Sequence, residues 1–536
     1  MSGGLIAAAR RLGRRALPTR LRGDREIAAG AFDAKFYLRS HPDVAENGGD
    51  PLDHFMAFGW REGRDPRPDF SVRAYLAAVP EVAASGVNPF VHYLTTGRRK
   101  AWLPDPPLGF RHEVIEQLIP LEDRIARVTR DPVRAGNRPA LAAALAISRE
   151  GLRRLHLSFS HDDFTAHVGG LQLAVRREAD ALARLGRDHL HLHPAQPWPV
   201  VRTDADPAPL GVVWNGRALG AFDVADIVAV LADVGGGEAR SFAIHSLLGH
   251  AAAETVALVK AAGLRAGTFW LHDFASVCAG FHLLRNEVED CAAPPPDSAA
   301  CGVCLYGPWR ARHSREHGRL FEALDLTVAA PSQVTLDLWT RASGLRAVGA
   351  AVLPHARLTG PRPAPVSAKA RPLRVAFAGL PTPHKGWPIF RTLANAFADD
   401  PRYEFLHLGM RRDAGAAAAF QEVSVVAGGP LAMRDALAAA QADVVLLWSI
   451  CRETFSFVAY EAVAAGCAVL TGPDSGNIAA FVEDTGHGLV LPDEDALRRA
   501  FETGEIMGLA RTHRRPMLYD LAFSALTLDL VEDPTP

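Results

Sequence analysis

The order of apolar and polar positions along the chain predicts two series of alternating strands and helices. Short apolar runs such as LHLSFS (155–160) and HLHLHP (189–194) are separated by stretches of helical periodicity, among them GGLQLAVRREADALARLG (169–186). A second series begins with LRVAFAGLP (373–381) and includes a strand predicted at VSVVAGG (423–429). Because strands spaced by helices favour parallel βαβ units, we expect two doubly wound α/β domains. Ligands of such sheets bind at the carboxyl ends of the strands.

An internal repeat with a period of 38 residues precedes the α/β series. Its two copies, FDAKFYLRSHPDVAENGGDPLDHFMAFG and FSVRAYLAAVPEVAASGVNPFVHYLTTG, match in register at Pro, Val, Gly and His positions. Asp50 and Asn88 each precede a Pro, as N-cap residues do, so we predict two short helices per copy. His54 and His92 are either ligands or, in the interpretation that we favour, residues that seal a small helical core.

These patterns divide the chain into successive segments. We predict a basic, disordered leader (1–25), a helical module of two repeats (26–105), a linker or helical segment (106–150), an N-terminal α/β domain with a cysteine-bearing insert at 278–304 (151–360), a C-terminal α/β domain (371–505) and a helical tail that crosses back (506–536). Pro-rich loops at 102–110 and 359–372 have the composition of linkers.

The composition is that of a globular protein, and it favours a function that involves small molecules. A chain of 536 residues is too long for one core, and a net charge of −2 gives no reason to expect nucleic acid as a partner. No apolar run reaches the roughly 18 residues of a spanning helix, so we expect a cytoplasmic protein. The basic start, MSGGLIAAARRLGRRALPTRLR, favours a solvated leader. The alternative is a weak peripheral contact with the inner membrane face.

The segment ETFSFVAYE (453–461) carries two carboxylates although its other residues are mostly apolar. A strand is predicted just before it, so Glu453 lies in a loop at the carboxyl end of that strand, and Glu461 lies inside the next helix. The start of this helix suits a phosphate, and carboxylates near a phosphate suit the hydroxyls of a ribose or sugar. Lys385 follows the first strand of the same domain and is placed to neutralise a diphosphate. The alternative is a surface lysine at a helix start.

The order of these residues resembles the family-4 retaining glycosyltransferases, which have the GT-B fold of two Rossmann-like domains facing a cleft. The resemblance rests on Lys385-Gly386 after the first strand, Glu453-x7-Glu461, Ala462, Gly466 and PDSGN (473–477) in the C-terminal series, and on GGLQLAV after Val168, LHD (271–273) and APS (330–332) in the N-terminal series. It covers about residues 153–505. The resemblance implies transfer of a hexose-like sugar from a nucleotide sugar to an acceptor hydroxyl, with retention at the anomeric carbon.

The resemblance also implies a role for each site residue. Lys385 would bind the nucleotide diphosphate, Glu453 the hydroxyls of the transferred sugar, and Glu461 the ribose. The backbone of Gly169 and Gly170 would approach the diphosphate, and His272 would lie beside the donor sugar at the reacting face. Ser456 and Phe457 would complete the donor pocket. The implied catalytic set is therefore His272, Glu453 and Lys385, and the chemistry requires no cofactor.

Two features depart from the pattern of that family. Leu380 stands where the family often has an Arg, and His384 is the nearest partial substitute. The small residues usual after the first Glu are replaced by Thr454, Phe455, Ser456 and Phe457.

No motif nominates a general base. Asp162, Asp163 and Asp273 lie at predicted strand ends and are candidates for orienting an acceptor, although we favour ordinary capping or turn roles. In retaining transfer of this type the leaving phosphate itself can take the acceptor proton. The protein then contributes positioning and charge stabilisation.

Four of the six cysteines cluster in the sequence, at Cys278, Cys291, Cys301 and Cys304. A Pro-rich insert without apolar periodicity needs another source of order, so we favour a structural Zn²⁺ held by four thiolates. The alternatives are unconnected reduced thiols or a redox pair at Cys301 and Cys304. Because the insert leaves the strand that bears His272, we expect it to overhang the cleft and shape the acceptor site.

The sequence therefore favours an enzyme, a nucleotide-sugar-dependent glycosyltransferase that acts on a glycan or lipid-linked acceptor, in surface polysaccharide or glycolipid assembly. Two alternatives remain open at this point. One is another GT-B nucleotide-sugar enzyme such as an epimerase, and the other is a non-catalytic nucleotide-sugar-binding or scaffold protein that recruits a partner through its repeats.

Overall fold

The structure is a computed structural model that describes residues 19–67, 70–72, 75–76, 79–96, 110–149, 152–233, 240–365 and 371–531. Parts of the leader, of the second repeat, of both Pro-rich linkers and of the tail predicted from the sequence lie outside the described residues. The chain forms two compact units. One consists of Met1–Leu118 with Asp297–Cys304, and the other of Ile119–Pro296 with Leu305–Pro536.

The first unit is built from short helices. Its helices are Thr19–Ala29, Ala34–Ser40, Pro42–Asn47, Pro51–His54, a π-helical turn Phe55–Gly59, Pro80–Ser85, Pro89–Thr95, Phe110–Glu116 and Ala299–Gly302. The first of these lies partly inside the segment 1–25 that the sequence analysis expected to be disordered. The first repeat also holds more helices than the two that we predicted, because Pro42 and Pro51 each open a new one.

The two repeats are stabilised by the same pair of contacts. Asp50 accepts a hydrogen bond from the backbone N–H of Asp53, and Asn88 caps its helix in the same way, as the sequence predicts. The hydroxyl of Tyr37 lies 3.0 Å from Nδ1 of His54. The hydroxyl of Tyr75 lies 2.8 Å from Nδ1 of His92. Both histidines therefore take part in the packing of their repeat.

The N-terminal α/β domain contains a largely parallel sheet whose central strand is buried along its whole length. Its strands are β1 Leu155–Phe159, β2 Asp188–Pro194, β3 Leu210–Trp214, β4 Arg217–Phe222, β5 Ser241–Ile244, β6 Ala266–Trp270, β7 Leu284–Arg285, β8 Glu289–Asp290, β9 Asp325–Ala330, β10 Gly349–Val352 and β11 Ala356–Pro363. Its helices are Leu121–Val128, Arg138–Leu145, Gly170–Arg184, Val224–Asp233, Ala252–Ala261, Gly307–Ala323 and Gln333–Ala342.

The main sheet has the order β10-β9-β6-β5-β1-β2-β3-β4. After β1 the chain adds β2 on one side of it and later adds β5 on the other side. A topological switch point therefore lies between β1 and β5. The edge differs from the expected parallel series, because β3 pairs antiparallel with both β2 and β4. The hairpin turns at Asn215 and Gly216, both with positive φ, which is a turn signal that the prediction of parallel units passed over.

The C-terminal α/β domain contains a six-stranded parallel sheet of order β14-β13-β12-β15-β16-β17. Its strands are β12 Leu373–Ala378, β13 Tyr403–Gly409, β14 Ala419–Glu422, β15 Val444–Leu446, β16 Ala468–Thr471 and β17 Gly488–Val490. A further strand, β18 Met517–Phe523, lies outside this sheet. Its helices are Trp387–Ala396, Val425–Gly428, Ala432–Ala439, Phe457–Ala464, Asn477–Thr485 and Glu494–Thr503, with 3₁₀ turns at Pro383–Lys385 and Glu505–Leu509. Its switch point lies between β12 and β15.

One strand prediction in this domain is wrong. The segment VSVVAGG, at 423–429, forms a short helix, Val425–Gly428, and the strand lies just before it at Ala419–Glu422. The Ser424 side chain accepts a hydrogen bond from the backbone N–H of Ala427. A serine cap of this kind starts a helix in spite of the β-branched residues that follow.

The end of the chain returns to the N-terminal α/β domain. Strand β18 pairs antiparallel with β11, so the tail that we expected to be helical contains a strand between a 3₁₀ turn and a short helix. The helix Thr527–Val531 follows, and the Thr527 hydroxyl accepts a hydrogen bond of 2.9 Å from Nε1 of Trp270. Two doubly wound Rossmann-like domains connected in this way constitute the GT-B fold that the sequence predicts.

Candidate active site

A cavity of about 330 Å³ opens where the carboxyl ends of the strands at the two switch points meet. Its walls come from both α/β domains and from the insert. The lining residues are His161, Gly169, Gly170, Leu171, Gln172, His272, Asp273, Phe274, Phe281, His282, His355, His384, Lys385, Cys451, Arg452, Glu453, Thr454, Phe455 and Phe457. A crevice at this position is where open α/β sheets bind ligands.

Two of the residues predicted from the sequence form an ion pair in this cavity. Lys385 ends a 3₁₀ turn after β12, and its Nζ lies 2.5 Å from Oε1 of Glu453 in the loop after β15. The same carboxylate oxygen accepts a hydrogen bond of 3.1 Å from the Ser449 hydroxyl. Desolvation lowers the pKa of Lys385, but the charge and hydrogen bond of Glu453, together with the nearby Cys451, raise that pKa above its ordinary value. The cavity therefore holds a fixed positive charge beside a fixed acceptor.

The PDSGN segment holds Glu453 in place. Gly476 forms an isolated β-bridge with Glu453, and the backbone N–H of Asn477 donates to the Glu453 carbonyl at 2.8 Å. Gly476 has a φ of 62°, and a Cβ there would lie 2.6 Å from the Glu453 carbonyl oxygen. Only glycine fits this approach without strain, so the motif positions the backbone of the first carboxylate.

The helix Phe457–Ala464 connects the two carboxylates of the motif. Ser456 caps it by accepting from the backbone N–H of Ala459, and Phe457 lines the cavity. Neither Ser456 nor Glu461 is among the residues that line the cavity. Glu461 is 7% exposed, one turn after Phe457. The structure thus brings Phe457 to the cavity and places Glu461 behind it.

Glu461 is a buried carboxyl group on the helix Phe457–Ala464. Among the described residues nothing donates a hydrogen bond to its carboxylate, and burial raises its pKa to about 7. Arg177 opposes this shift through its charge. The Arg177 guanidinium carbon lies 4.5 Å from the centroid of the Phe457 ring, and burial lowers the pKa of Arg177 to about 10. Glu461 is therefore a polar group whose partner is missing within the described chain.

The predicted glycine pair forms the start of the helix Gly170–Arg184, which follows β1, with Gly169 as the N-cap residue. Gly169 and Gly170 line the cavity, and a Cβ on Gly169 would lie 2.3 Å from Oε1 of Gln172. The Gln172 amide donates to both oxygens of Asp162, at 2.8 and 2.9 Å. The first turn is thus fastened to the loop after β1. The close packing at Gly169 leaves backbone rather than a side chain facing the cavity.

His272 lies in the cavity wall, but both of its ring nitrogens are engaged by other histidines. Its Nε2 is 2.9 Å from Nδ1 of His245, and its Nδ1 is 3.2 Å from Nε2 of His355. Burial and the neighbouring histidines lower the pKa of His272 well below its ordinary value, so the ring is neutral. A ligand beside His272 would meet the carbon edge of the ring unless one of these hydrogen bonds were exchanged.

Sequence reasoning missed the residues behind His272. His245 Nε2 lies 2.8 Å from Oε2 of Glu178, a residue with no exposed surface. Glu178 lies on the helix Gly170–Arg184, on the same face as the buried Val175 and Leu182. A charged residue within an apolar stripe was the available signal, because such a residue needs a buried partner.

The insert contributes to the cavity, as expected for a segment that leaves the strand bearing His272. Phe281 and His282 line the cavity, and the ring of His282 stacks on that of His384 at 4.7 Å. Burial lowers the pKa of both histidines to about 3, so His384 does not supply the positive charge of an arginine. Leu380 is 47% exposed and does not line the cavity.

An ion pair joins the insert to the loop that carries Glu453. The Arg452 guanidinium donates to both carboxylate oxygens of Asp290, at 2.8 and 2.7 Å. The Thr454 hydroxyl donates to the His272 carbonyl at 2.8 Å, and the Ser332 hydroxyl donates to the Thr454 carbonyl at 2.9 Å. Residues on both sides of Glu453 are thus held by the N-terminal α/β domain.

The aspartates considered as acceptor-orienting groups have local partners. Asp163 accepts from the backbone N–H and the hydroxyl of Thr165, which is an ordinary turn contact. Asp162 is occupied by Gln172. Asp273 accepts from the backbone N–H of Ala275 at 2.8 Å and also lines the cavity. Asp163 and Asp273 thus have the local turn contacts that we favoured, whereas Asp162 binds a side chain of the helix Gly170–Arg184. Of the three, Asp273 lines the cavity.

The four clustered cysteines are divided between the two compact units. Cys278 and Cys291 belong to the larger unit, whereas Cys301 and Cys304 belong to the segment Asp297–Cys304 of the smaller one. Within the described ranges no three His, Cys, Asp or Glu side chains are grouped as a metal site. The structural Zn²⁺ stays a prediction from the sequence. Among the same residues, no helix has both the length and the apolar character needed to cross a membrane.

No protein-family model and no curated protein sequence matches this chain. Solved structures to which it is similar include a sucrose-phosphate synthase from Thermosynechococcus elongatus, with 15% identity, coverage of 67% of this chain and 92% of that chain, and a TM-score of 0.43. HepE from Anabaena, in complex with UDP-glucose, has 14% identity, coverage of 67% and 92%, and a TM-score of 0.38. A glycosyltransferase from Rickettsia africae has 11% identity, coverage of 67% and 91%, and a TM-score of 0.41. Likenesses at this level do not assign an activity.

Proposed function

We propose that the protein is a retaining glycosyltransferase of the family-4 type, which transfers a sugar from a nucleotide sugar to a hydroxyl of a glycan or lipid-linked acceptor. The observation that carries the proposal is the Lys385–Glu453 ion pair, 2.5 Å long, in a cavity whose wall also includes Gly169 and Gly170. This arrangement offers one cation for a diphosphate, one carboxylate for sugar hydroxyls and an approach free of side chains for a phosphate.

Donor binding would exchange partners within this pair. The diphosphate would take over Lys385, whose ammonium neutralises charge that develops on the leaving phosphate. Glu453 would then accept from hydroxyls of the transferred sugar, and a charge-assisted hydrogen bond of this kind contributes about 1.5 to 3 kcal/mol. Glu461, which lacks a donor within the described chain, would accept from the ribose hydroxyls. Each carboxylate would thus gain a hydroxyl partner from the same ligand.

The reaction itself needs little beyond positioning. In our proposal the leaving phosphate takes the proton of the acceptor hydroxyl, and no metal or other cofactor takes part in the chemistry. Closing the reactants into one cavity removes much of the entropic barrier. We assign the enzyme to surface polysaccharide or glycolipid assembly on the strength of the sequence resemblance.

A donor screen tests the proposal. We would incubate the full chain with UDP-, GDP- and ADP-sugars and measure release of the nucleoside diphosphate, with and without oligosaccharide or lipid-linked acceptors. At least one donor should release its nucleotide, and Glu453→Gln should lower the rate by about 100-fold or more, because removal of one preorganised charged contact costs about 3 kcal/mol.

Glu404→Gln is the matched control for this variant. Glu404 belongs to the same domain and is paired with Arg374 at 2.7 Å, but it does not line the cavity. The Glu404→Gln substitution should change the rate of nucleotide release less than twofold. Donor binding without nucleotide release under any acceptor condition would instead favour a non-catalytic nucleotide-sugar-binding protein. Failure of every donor to bind would contradict the proposal.

A further inference from the structure

Arg177 is a half-buried cation that contacts both the C-terminal α/β domain and the returning end of the chain. It belongs to the helix Gly170–Arg184, whose first turn lines the cavity. Its guanidinium carbon lies 4.5 Å from the centroid of the Phe457 ring and 3.7 Å from that of the Phe523 ring in β18. Its Nη1 is buried and has no hydrogen-bond partner among the described residues.

Arg177 keeps its charge at neutral pH. Burial lowers its pKa to about 10, and the charge of Glu461 opposes this shift. The faces of aromatic rings attract a cation, most strongly where water is excluded. Two such rings therefore offset part of the hydration that the guanidinium has lost.

The contact with Phe457 also brings Arg177 to the side of the helix that carries Glu461. Residues four positions apart on a helix lie on the same face, and Glu461 follows Phe457 by one turn. Burial raises the pKa of Glu461 to about 7, and the charge of Arg177 opposes that rise. Each residue thus favours the charged form of the other, although they belong to different domains.

The other charged groups near Glu461 have smaller effects on it. Arg434 of the helix Ala432–Ala439 also favours the charged form, whereas its neighbour Asp435 disfavours it. These two side chains pair with each other at 2.6 Å, so their charges act against each other. The remaining titratable residues of the helix that carries Glu461, and of strands β11 and β18 packed against it, are Tyr460, Arg357, Arg362, Tyr519 and Asp520. Arg177 is the cation that most favours ionised Glu461.

We propose that Arg177 is a positioning residue for the donor, which supplies the counter-charge for the Glu461 carboxylate when ribose hydroxyls bind. The ribose rests on the proposed function, whereas the electrostatic link between Arg177 and Glu461 does not. Arg177 acts through Glu461, and it is not among the residues that line the cavity. Donor binding by the C-terminal domain would thus depend on a charge that the N-terminal domain holds.

The electrostatic link can be tested without a ligand, by urea unfolding of the full chain between pH 5 and pH 9. In the parent protein, Glu461 contributes a stabilisation that is lost as the pH rises through about 7. Arg177→Met removes the favourable charge, so the fall in stability should level off at a pH about half a unit higher. Arg177→Gln is a second neutral variant and should give the same shift. A folded neutral variant with no upward shift would overturn the link.

Arg177→Lys and Arg176→Met are the controls. Lysine keeps a positive charge at position 177, so its shift should be less than half of that in Arg177→Met. Arg176 precedes Arg177 on the same helix, and its Nη2 donates to the Phe164 carbonyl at 2.7 Å. Arg176→Met should leave the pH profile unchanged. A shift in either control as large as that in Arg177→Met would overturn the assignment to the charge of Arg177.

Donor binding tests the positioning role. Calorimetric titration with UDP-glucose, and then with the other donors of the screen, gives the affinity and the number of protons released. Arg177→Met should bind the donor about threefold more weakly than the parent protein at pH 7. At pH 9, where Glu461 is ionised in both proteins, the two affinities should agree within about 1.5-fold. An equal loss of affinity at both pH values would overturn the role of Arg177 as a counter-charge.

Proton release gives a second measure of the same role. At pH 7 Arg177→Met should release more protons per bound donor than the parent protein, because more of its Glu461 is protonated beforehand. Equal release would overturn the positioning role. Failure of every donor to bind would contradict the proposed function and remove the ribose from the inference, while the unfolding experiment would still decide whether Arg177 and Glu461 are linked.

Discussion

Two buried glutamates, one in each α/β domain, have opposite electrostatic behaviour. Glu178 of the N-terminal domain accepts hydrogen bonds from His245 and from the backbone N–H of Thr527, and its pKa lies well below the ordinary value. Glu461 of the C-terminal domain receives no hydrogen bond from the described residues, and burial raises its pKa to about 7. Burial alone therefore does not set the charge of a carboxyl group. The charged groups and hydrogen-bond donors beside it also act on its pKa.

This difference indicates what each domain contributes to the cavity. The carboxylate of the N-terminal domain is satisfied by hydrogen bonds from His245 of the same domain and from Thr527 near the end of the chain. In the C-terminal domain, Glu461 receives no hydrogen bond from the residues that the structure describes, and it lies one turn after Phe457, which lines the cavity. An incomplete polar site costs stability in the free protein, and a ligand with hydroxyl groups would complete it.

Replacement of each glutamate by alanine should give the largest difference in stability between the two sites. Glu178→Ala should lower the free energy of unfolding by about 3 to 5 kcal/mol, because it leaves the Thr527 N–H and His245 unpaired in the core. Glu461→Ala should cost about 1 kcal/mol, because no hydrogen bond is lost. Urea unfolding of the two variants at pH 7 measures the difference. Equal losses would mean that the two groups do not differ as described.

The pH dependence of stability should show the raised pKa of Glu461 directly. Because this pKa is about 7 in the folded protein against 4.5 ordinarily, the folded state retains a proton that the unfolded chain releases. The resulting stabilisation is fully present below about pH 4.5 and is lost as the pH rises through about 7, by at most about 3 kcal/mol.

Glu461→Gln should remove this component of the pH dependence. We would measure urea unfolding of the parent protein and the variant at pH 5 and at pH 8. The difference in unfolding free energy between the two pH values should be smaller in the variant by up to about 3 kcal/mol. Identical pH profiles would contradict the assignment of the raised pKa to Glu461.

The smallest expected effect concerns the contact between the two domains. Arg452→Gln should lower the free energy of unfolding by about 1 kcal/mol, because Asp290, 10% exposed, loses a bidentate partner. Arg374→Gln removes an ion pair within the C-terminal domain from a side chain that is also 28% exposed. Both should cost similar stability, but only Arg452→Gln should weaken donor binding, by about threefold. If both Arg452→Gln and Arg374→Gln weakened donor binding, the proposed role of the Arg452–Asp290 ion pair in donor binding would be wrong.

The sequence predicted the fold well where local patterns decide it. The parallel strands around β1 and β12 were found from their apolar runs, and the repeat helices from their capping residues. Capping also caused the error at 423–429, where Ser424 starts a helix in an apolar run. The hairpin at Asn215 and Gly216 was missed although its turn residues were visible, because the prediction assumed one helix between each pair of strands.

The candidate site was predictable only in part, because much of it depends on contacts between distant residues. The motif residues Lys385, Glu453, Gly169 and His272 all line the cavity. The hydrogen bond between Thr527 and Glu178 could not be predicted, since the two residues are 349 positions apart and their contact requires the chain to cross back. Local patterns indicate which residues are unusual, and the tertiary fold decides which of them meet.

The most direct test of the account is a measurement of protons released when a nucleotide sugar binds. Glu461 is about half protonated at pH 7, and hydroxyl donors from a ribose would stabilise its charged form. Calorimetric titration of the tightest donor in buffers of different ionisation enthalpy should show release of about half a proton per site in the parent protein and none in Glu461→Gln. Binding without proton release, or equal release by the variant, would contradict the account.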